Sequence, residues 1–208
     1  MNSRWHVSFL TLIGLITSQL LSIGVLAQTI PTDLGNFSES LRKIELENYD
    51  GQPYSLSSFE HQKLTLLILM AHDCPICQQY TGKFRELAQV DGLSVVGIAP
   101  SEGETKETAG AFAAKYKFDF PILLDSHQVV THILKAKVTP EVFLFNQTGD
   151  LLYRGKIDNW FYELGKYRNV ITEHYLDDAI AAAFAGKAIN PNKTEPIGCM
   201  LNMSMKHH

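Results

Sequence analysis

Residues 64–71, LTLLILMA, form an unbroken apolar run of strand length. Such a run, with no alternation, fits a strand covered on both faces better than an amphipathic helix. A strand buried on both faces requires layers above and below it, and so a sheet flanked by helices. The run leads directly into HDCPIC (72–77). Behind Cys74 the apolar positions change period, with Ile76, Tyr80, Phe84, Leu87 and Ala88 on one helical face. Two cysteines, two residues apart with a proline between them, therefore stand where a buried strand turns into a helix.

The rest of the chain fits around that strand. Residues 44–59 read as two short strands joined by a turn at Asp50-Gly51. LSVVGIA (93–99) is a second buried strand. An amphipathic helix over 107–117 turns Ala109, Phe112, Ala113 and Tyr116 inward. FPILLD (120–125) gives a short strand and HQVVTHILKA (127–136) a short helix. VTPEVFLF (138–145) and LLYRGKI (151–157) alternate as a hairpin around Thr148-Gly149-Asp150. An aromatic-rich loop (158–169) and a helix over 171–187, ended by Gly186, complete the pattern. The expectation is a single-domain α/β fold, a mixed β-sheet flanked by helices over residues 42–187. A polar arm (28–41) precedes it, and an irregular tail (188–208) carrying Cys199 follows.

The compartment bears on the chemistry. After Arg4 no charged residue occurs from Val7 to Ala27, and Val-Leu-Ala precedes Gln28. Residues 1–27 thus read as a signal peptide, or as an N-terminal anchor if uncleaved, and the protein is expected to be exported to the periplasm or secreted. The remaining stretch, about 180 residues, suits one compact domain. With 18 basic against 22 acidic side chains the net charge is −4, and no basic cluster suggests nucleic acid. Contact with a membrane is expected only through an uncleaved segment 7–27. Sequons at Asn36, Asn146, Asn192 and Asn202 matter only in a host that glycosylates.

Three cysteines, Cys74, Cys77 and Cys199, are too few to staple a scaffold, and an odd number in an oxidising compartment leaves one thiol over or in exchange. Cys74 at a helix start is favoured as thiolate, because backbone N–H groups and the helix dipole stabilise negative charge there. It is the expected nucleophile, and Cys77, one turn on, the expected resolving thiol. Cys199 reads as a candidate third redox thiol, a metal ligand or a plain tail cysteine. Cys74, Cys77 and Cys199, with His72, Met200, Met203, Met205, His207 and His208 nearby in sequence or in the tail, are also soft donors suited to Cu(I). Trp160, Phe161 and Tyr162 either cover the sheet edge or line a docking groove. Arg154 is expected to pair with Asp158 or a neighbouring acid.

The order of these pieces resembles the thioredoxin fold, and the inserted strand and helix resemble its redoxin branch, the AhpC/TSA-like proteins. CPIC, VTPEVFLF, YRGKIDNW and PIGC occur in the order seen in exported redoxin-domain proteins. The resemblance covers roughly residues 42–186. It implies that Pro140 is a cis proline beside the sulfurs, that Thr139 offers backbone hydrogen bonds to an extended substrate, and that Glu141 and His72 are the nearby groups able to move protons. The implied activity is thiol–disulfide exchange on protein or small thiol substrates, with a partner reductase and no organic cofactor. Two departures stand out. Peroxiredoxins carry Pro and Thr where this chain has Leu67 and Ala71, which disfavours thiol peroxidase activity. Thioredoxin carries a buried acid where this chain has Ile68. The alternative of a Sco-like copper module meets a spacing of C-x-x-C where that family has C-x-x-x-C.

Overall fold

The structure, a computed structural model, describes residues 38–57 and 62–202. The expected leader, the arm up to residue 37, residues 58–61 and residues 203–208, with Met203, Met205, His207 and His208, lie outside them.

Among the described residues the strands are β1 (Glu45–Asn48), β2 (Pro53–Ser55), β3 (Leu64–Leu69), β4 (Leu93–Ala99), β5 (Ile122–Leu124), β6 (Val138–Thr139), β7 (Glu141–Asn146), β8 (Leu151–Gly155), β9 (Phe161–Glu163), β10 (Lys166–Tyr167) and β11 (Cys199–Met200). Seven of them form one sheet in the order β2-β1-β5-β4-β3-β7-β8. β3, β4 and β5 run parallel, while β7 and β8 add antiparallel on one side and β1 on the other. The helices are α1 (Ser38–Arg42), α2 (Pro75–Gln79), α3 (Thr81–Ala88), α4 (Lys106–Tyr116), α5 (Val129–Leu134) and α6 (Tyr175–Phe184). None of the described helices is long and apolar enough to cross a membrane.

β3, the first six residues of the run at 64–71, is central and buried along its whole length, and its two faces feed two cores. Leu64, Leu66 and Ile68 join Val142, Leu144, Phe84, Phe112 and Ile180 on one side. Leu67 and Leu69 join Phe143, Phe145, Leu41, Val130 and Leu134 on the other. This is the period-2 pleat applied to a strand with both faces covered. Each such side chain contributes about 1.5–3 kcal/mol relative to an exposed position.

Four local readings change. The end of the arm is helical: α1 buries Leu41 completely in the second core. The aromatic loop is a short hairpin, β9 with β10, turning at Gly165, whose φ of 74° suits glycine. α6 starts at Tyr175 because the amides of Thr172 and Glu173 are held by Asn159 Oδ1, at 3.0 and 3.3 Å, outside the helix. Finally, the tail is not irregular throughout. It bridges alongside Arg154 at Lys193 and then adds β11 antiparallel to β6. Nothing in its own periodicity predicts that strand, since the ordering partner lies some 60 residues away in sequence.

Candidate active site around Cys74

Beyond β3, the chain turns tightly before helix α2, with Cys74 N–H bonded to Ala71 O at 3.3 Å. Pro75 takes the first helical position, where no amide donor is needed. Gln78 N–H then closes the first helical bond on Cys74 O at 3.0 Å. Cys74 and Cys77 are both buried. The facing wall is the loop between β6 and β7, and the Thr139–Pro140 bond is cis, as the resemblance implied. Cys74 Sγ lies 3.1 Å from the Thr139 carbonyl oxygen.

The disulfide joins Cys74 to Cys199, with Cα atoms 6.1 Å apart, and Cys77 is a free buried thiol. The C-x-x-C pairing expected between Cys74 and Cys77 is therefore not the one formed here, and the odd cysteine of the sequence has a partner. β11 delivers it: Cys199 lies opposite Thr139 and Met200 opposite Val138, and Leu201 N–H reaches Lys137 O at 3.0 Å. Burial pushes the Cys77 thiol from its usual 9.0 up to about 12. The Ala71 backbone and the Thr139 side chain pull the other way, while the negative charges of Glu104 and Asp73 add to the rise. Thr139 thus touches the surroundings of all three sulfurs.

His72 sits next to this turn. Its backbone N–H donates to Glu104 Oε1 at 2.9 Å, and its Nδ1 lies 3.0 Å from the same oxygen without the alignment of a hydrogen bond. Gln78 Nε2 donates to His72 O at 2.8 Å. Glu104 is only 5 % exposed and escaped the sequence reading, because it sits in a polar loop, SEGET, that reads as solvated. One signal was available. The loop follows β4, and β3 and β4 are parallel neighbours, so their following loops emerge at the same end of the sheet. Donor atoms of His72, Asp73 and Glu104 lie within 4.8 Å of one another, a nitrogen–oxygen set rather than the soft set expected for Cu(I). Of the three sulfurs in that soft set, Cys74 and Cys199 are bonded to each other. An open cleft of about 470 Å³ borders the turn between Asp73 and Lys115, floored by Phe112.

Glu141, expected as a proton-moving group, is 1 % exposed, pairs with Arg154 Nη2 at 2.6 Å and accepts from Lys137 N–H at 2.9 Å. Both carboxylate oxygens are engaged in holding the cis-proline loop. Arg154 accordingly chooses Glu141 over Asp158, and it also caps α5 through Leu134 O at 2.9 Å. Asp158 instead accepts from Tyr80 O–H and from Trp160 N–H. Trp160 stands edge-on to Tyr80 at 5.3 Å, and Phe161 is buried, so this part of the aromatic cluster braces the junction of α2 and α3. Tyr162 stays 49 % exposed.

Comparisons with known proteins agree with this architecture. Over 83 residues the chain is 35% identical to chloroplastic peroxiredoxin Q of Sedum lineare, a match covering 38% of this chain and 43% of that relative. The match thus spans less than half of the relative's length. A hypothetical protein of Sinorhizobium meliloti superposes with a TM-score of 0.69 at 26% identity, covering 77% of this chain and 91% of the other. A secreted Mycobacterium tuberculosis disulfide oxidoreductase homologous to Escherichia coli DsbE shares the fold, with a TM-score of 0.51 at 19% identity over 71% of this chain and 97% of that one. The fold is thioredoxin-like, of the redoxin type. The family model described as AhpC/TSA family matches residues 38–154, more than half of the chain, and the protein belongs to that family.

Proposed function

We propose that this protein is an exported thiol–disulfide oxidoreductase acting on protein or small thiol and disulfide substrates, without an organic cofactor. The observation that carries this reading is the placement of Cys74 Sγ, at the start of α2 and against the cis-proline loop, in a disulfide. In the reducing direction the Cys74 thiolate attacks a substrate disulfide. One substrate sulfur leaves as thiolate and a mixed disulfide forms. A second thiol of this chain then attacks Cys74 Sγ and releases the other substrate sulfur. The substrate gains two electrons and the protein keeps an internal disulfide, which a partner reductase reopens. Pro140 shapes the docking wall, and His72, backed by Glu104, takes and returns the proton of the second thiol.

Export is supported by the apolar segment 7–27 and by a disulfide near the start of α2, which persists in oxidising compartments. Membrane attachment would come only from an uncleaved segment 7–27. The test is turnover of a disulfide-bonded protein by wild type and by Cys74→Ser. Loss of turnover in the variant supports the reading, and unchanged turnover sinks it.

A further inference from the structure

We propose that the tail segment 197–201 is a tethered occupant of the edge on which this protein receives its polypeptide substrate, and that the substrate is an extended segment with glycine directly before the reacting cysteine. The proposal rests on the oxidoreductase reading above and specifies the substrate class of that same site.

Among the described residues β6 pairs with β11 and with no strand of the central sheet, so the tail fills its ladder. The register sets Cys199 opposite Thr139 and brings its sulfur onto Cys74. Any chain delivering a cysteine to Cys74 in this register meets the same neighbours. At the preceding position they are backbone: a Cβ on Gly198 would stand 2.3 Å from Thr139 O, 2.7 Å from Thr139 C and 3.1 Å from Pro140 N. These atoms belong to a loop fixed by Glu141 and Arg154, so they have little room to give. Gly198 is required for space and not for an unusual backbone angle. One residue further back, Ile197 packs on the first core, whereas Met200, after the cysteine, is 75 % exposed. The edge therefore reads an apolar residue, then glycine, then cysteine, and leaves the next side chain unread.

The occupant can leave without an outside reductant. The Cys77 thiol loses its proton and attacks Cys74 Sγ, the Cys74–Cys199 bond breaks, and the Cys74–Cys77 bond forms. Cys199 departs as thiolate and takes up the proton, so the protein is neither oxidised nor reduced. Upstream, the tail stays held where Thr194 N–H donates to Arg154 O at 3.0 Å and Thr194 Oγ1 accepts from Lys156 N–H at 3.0 Å. Only the segment beyond that anchor has to swing away.

The test uses reduced full-length Cys199→Ser protein and an octapeptide of residues 195–202, presented as its mixed disulfide with thionitrobenzoate. Release of the coloured thiolate reports attack by Cys74. The Gly peptide should react about tenfold or more faster than the same peptide with Ala or Val at that position. Urea-unfolded protein should show no such preference. Adding Gly198→Val to Cys199→Ser expels the tail and should raise the rate of the Gly peptide. Rates for Gly and Ala peptides within about twofold on folded protein overturn the proposal, as does a rate that the added Val leaves unchanged. Fast, equal rates leave the oxidoreductase reading standing. That reading falls separately if Cys74→Ser still reduces a disulfide-bonded protein.

Discussion

Gly198 lies flat against the carbonyl of Thr139, the same carbonyl whose oxygen stands 3.1 Å from Cys74 Sγ. Cys74 and the tail therefore share one backbone group, and a change on either side is felt by the other. Gly198→Ala inserts a methyl group against main-chain atoms and should cost about 1–3 kcal/mol, but only while β11 is docked. The expected result is a lower denaturation midpoint for the oxidised variant and a smaller drop for the reduced one, in which β11 docks only part of the time. An equal loss in both states would mean that the tail stays paired without its disulfide.

Reduction itself should be tolerated. The Cys74–Cys199 bond closes a loop of 125 residues, for which the chain-entropy view gives about 5 kcal/mol of stabilisation as an upper figure. The two cores contain neither β11 nor the segment after Thr194, apart from the partly buried Ile197, Cys199 and Leu201 at their margins. Reduced protein should remain folded, and limited proteolysis should then cut first between residues 195 and 202. A global loss of the near-ultraviolet signal on reduction would show instead that the bond is a structural staple.

Cys77 makes a pH prediction whose sign is fixed. Burial, reinforced by the charges of Glu104 and Asp73, raises the folded thiol from 9.0 to about 12, so the folded state holds this proton where the unfolded state has released it. The stability contribution is therefore complete below about pH 9 and is lost as pH climbs toward 12. Denaturant titrations at pH 7, 9 and 11 should show a steeper alkaline decline for wild type than for Cys77→Ala. The comparison is of slopes, because the variant also leaves a small void. Parallel slopes would mean that Cys77 has the same proton affinity folded and unfolded.

The legibility of these features in the sequence follows the range of the forces behind them. β3 was visible because both of its faces are covered, which writes an unbroken apolar run, and the start of α2 was visible because Pro75 marks it. The cis bond at Pro140 came through the resemblance, since nothing local distinguishes it from a trans proline. β11 was not legible: Cys199–Met200 is too short for a period, and its register is dictated by Thr139 and by a sulfur on another element. Glu104 looked solvated because its burial is created by the turn at His72, not by its own neighbours in sequence. The Arg154–Glu141 pair was within reach. The hairpin register sets Arg154 opposite Phe143, and Glu141 lies two residues earlier on the same face.

That pair supplies the last prediction. Arg154 is 12 % exposed at its side chain and Glu141 1 %, so the charges are largely withdrawn from water and each depends on the other. The guanidinium also stacks over the Phe143 ring at 4.7 Å and caps α5 through Leu134 O. Arg154→Met keeps the apolar stem but strands the Glu141 carboxylate, and breaking a buried pair in this way costs about 3–5 kcal/mol. Arg154→Met with Glu141→Gln removes the stranded charge and should recover part of that loss. Because Glu141 also holds Lys137 N–H, next to β6, the single variant should loosen the loop around Pro140 and slow disulfide exchange at Cys74. Denaturation midpoints for both variants, read beside their exchange rates, check this. A single variant within about 1 kcal/mol of wild type would show that the Glu141 carboxylate finds adequate solvation without Arg154.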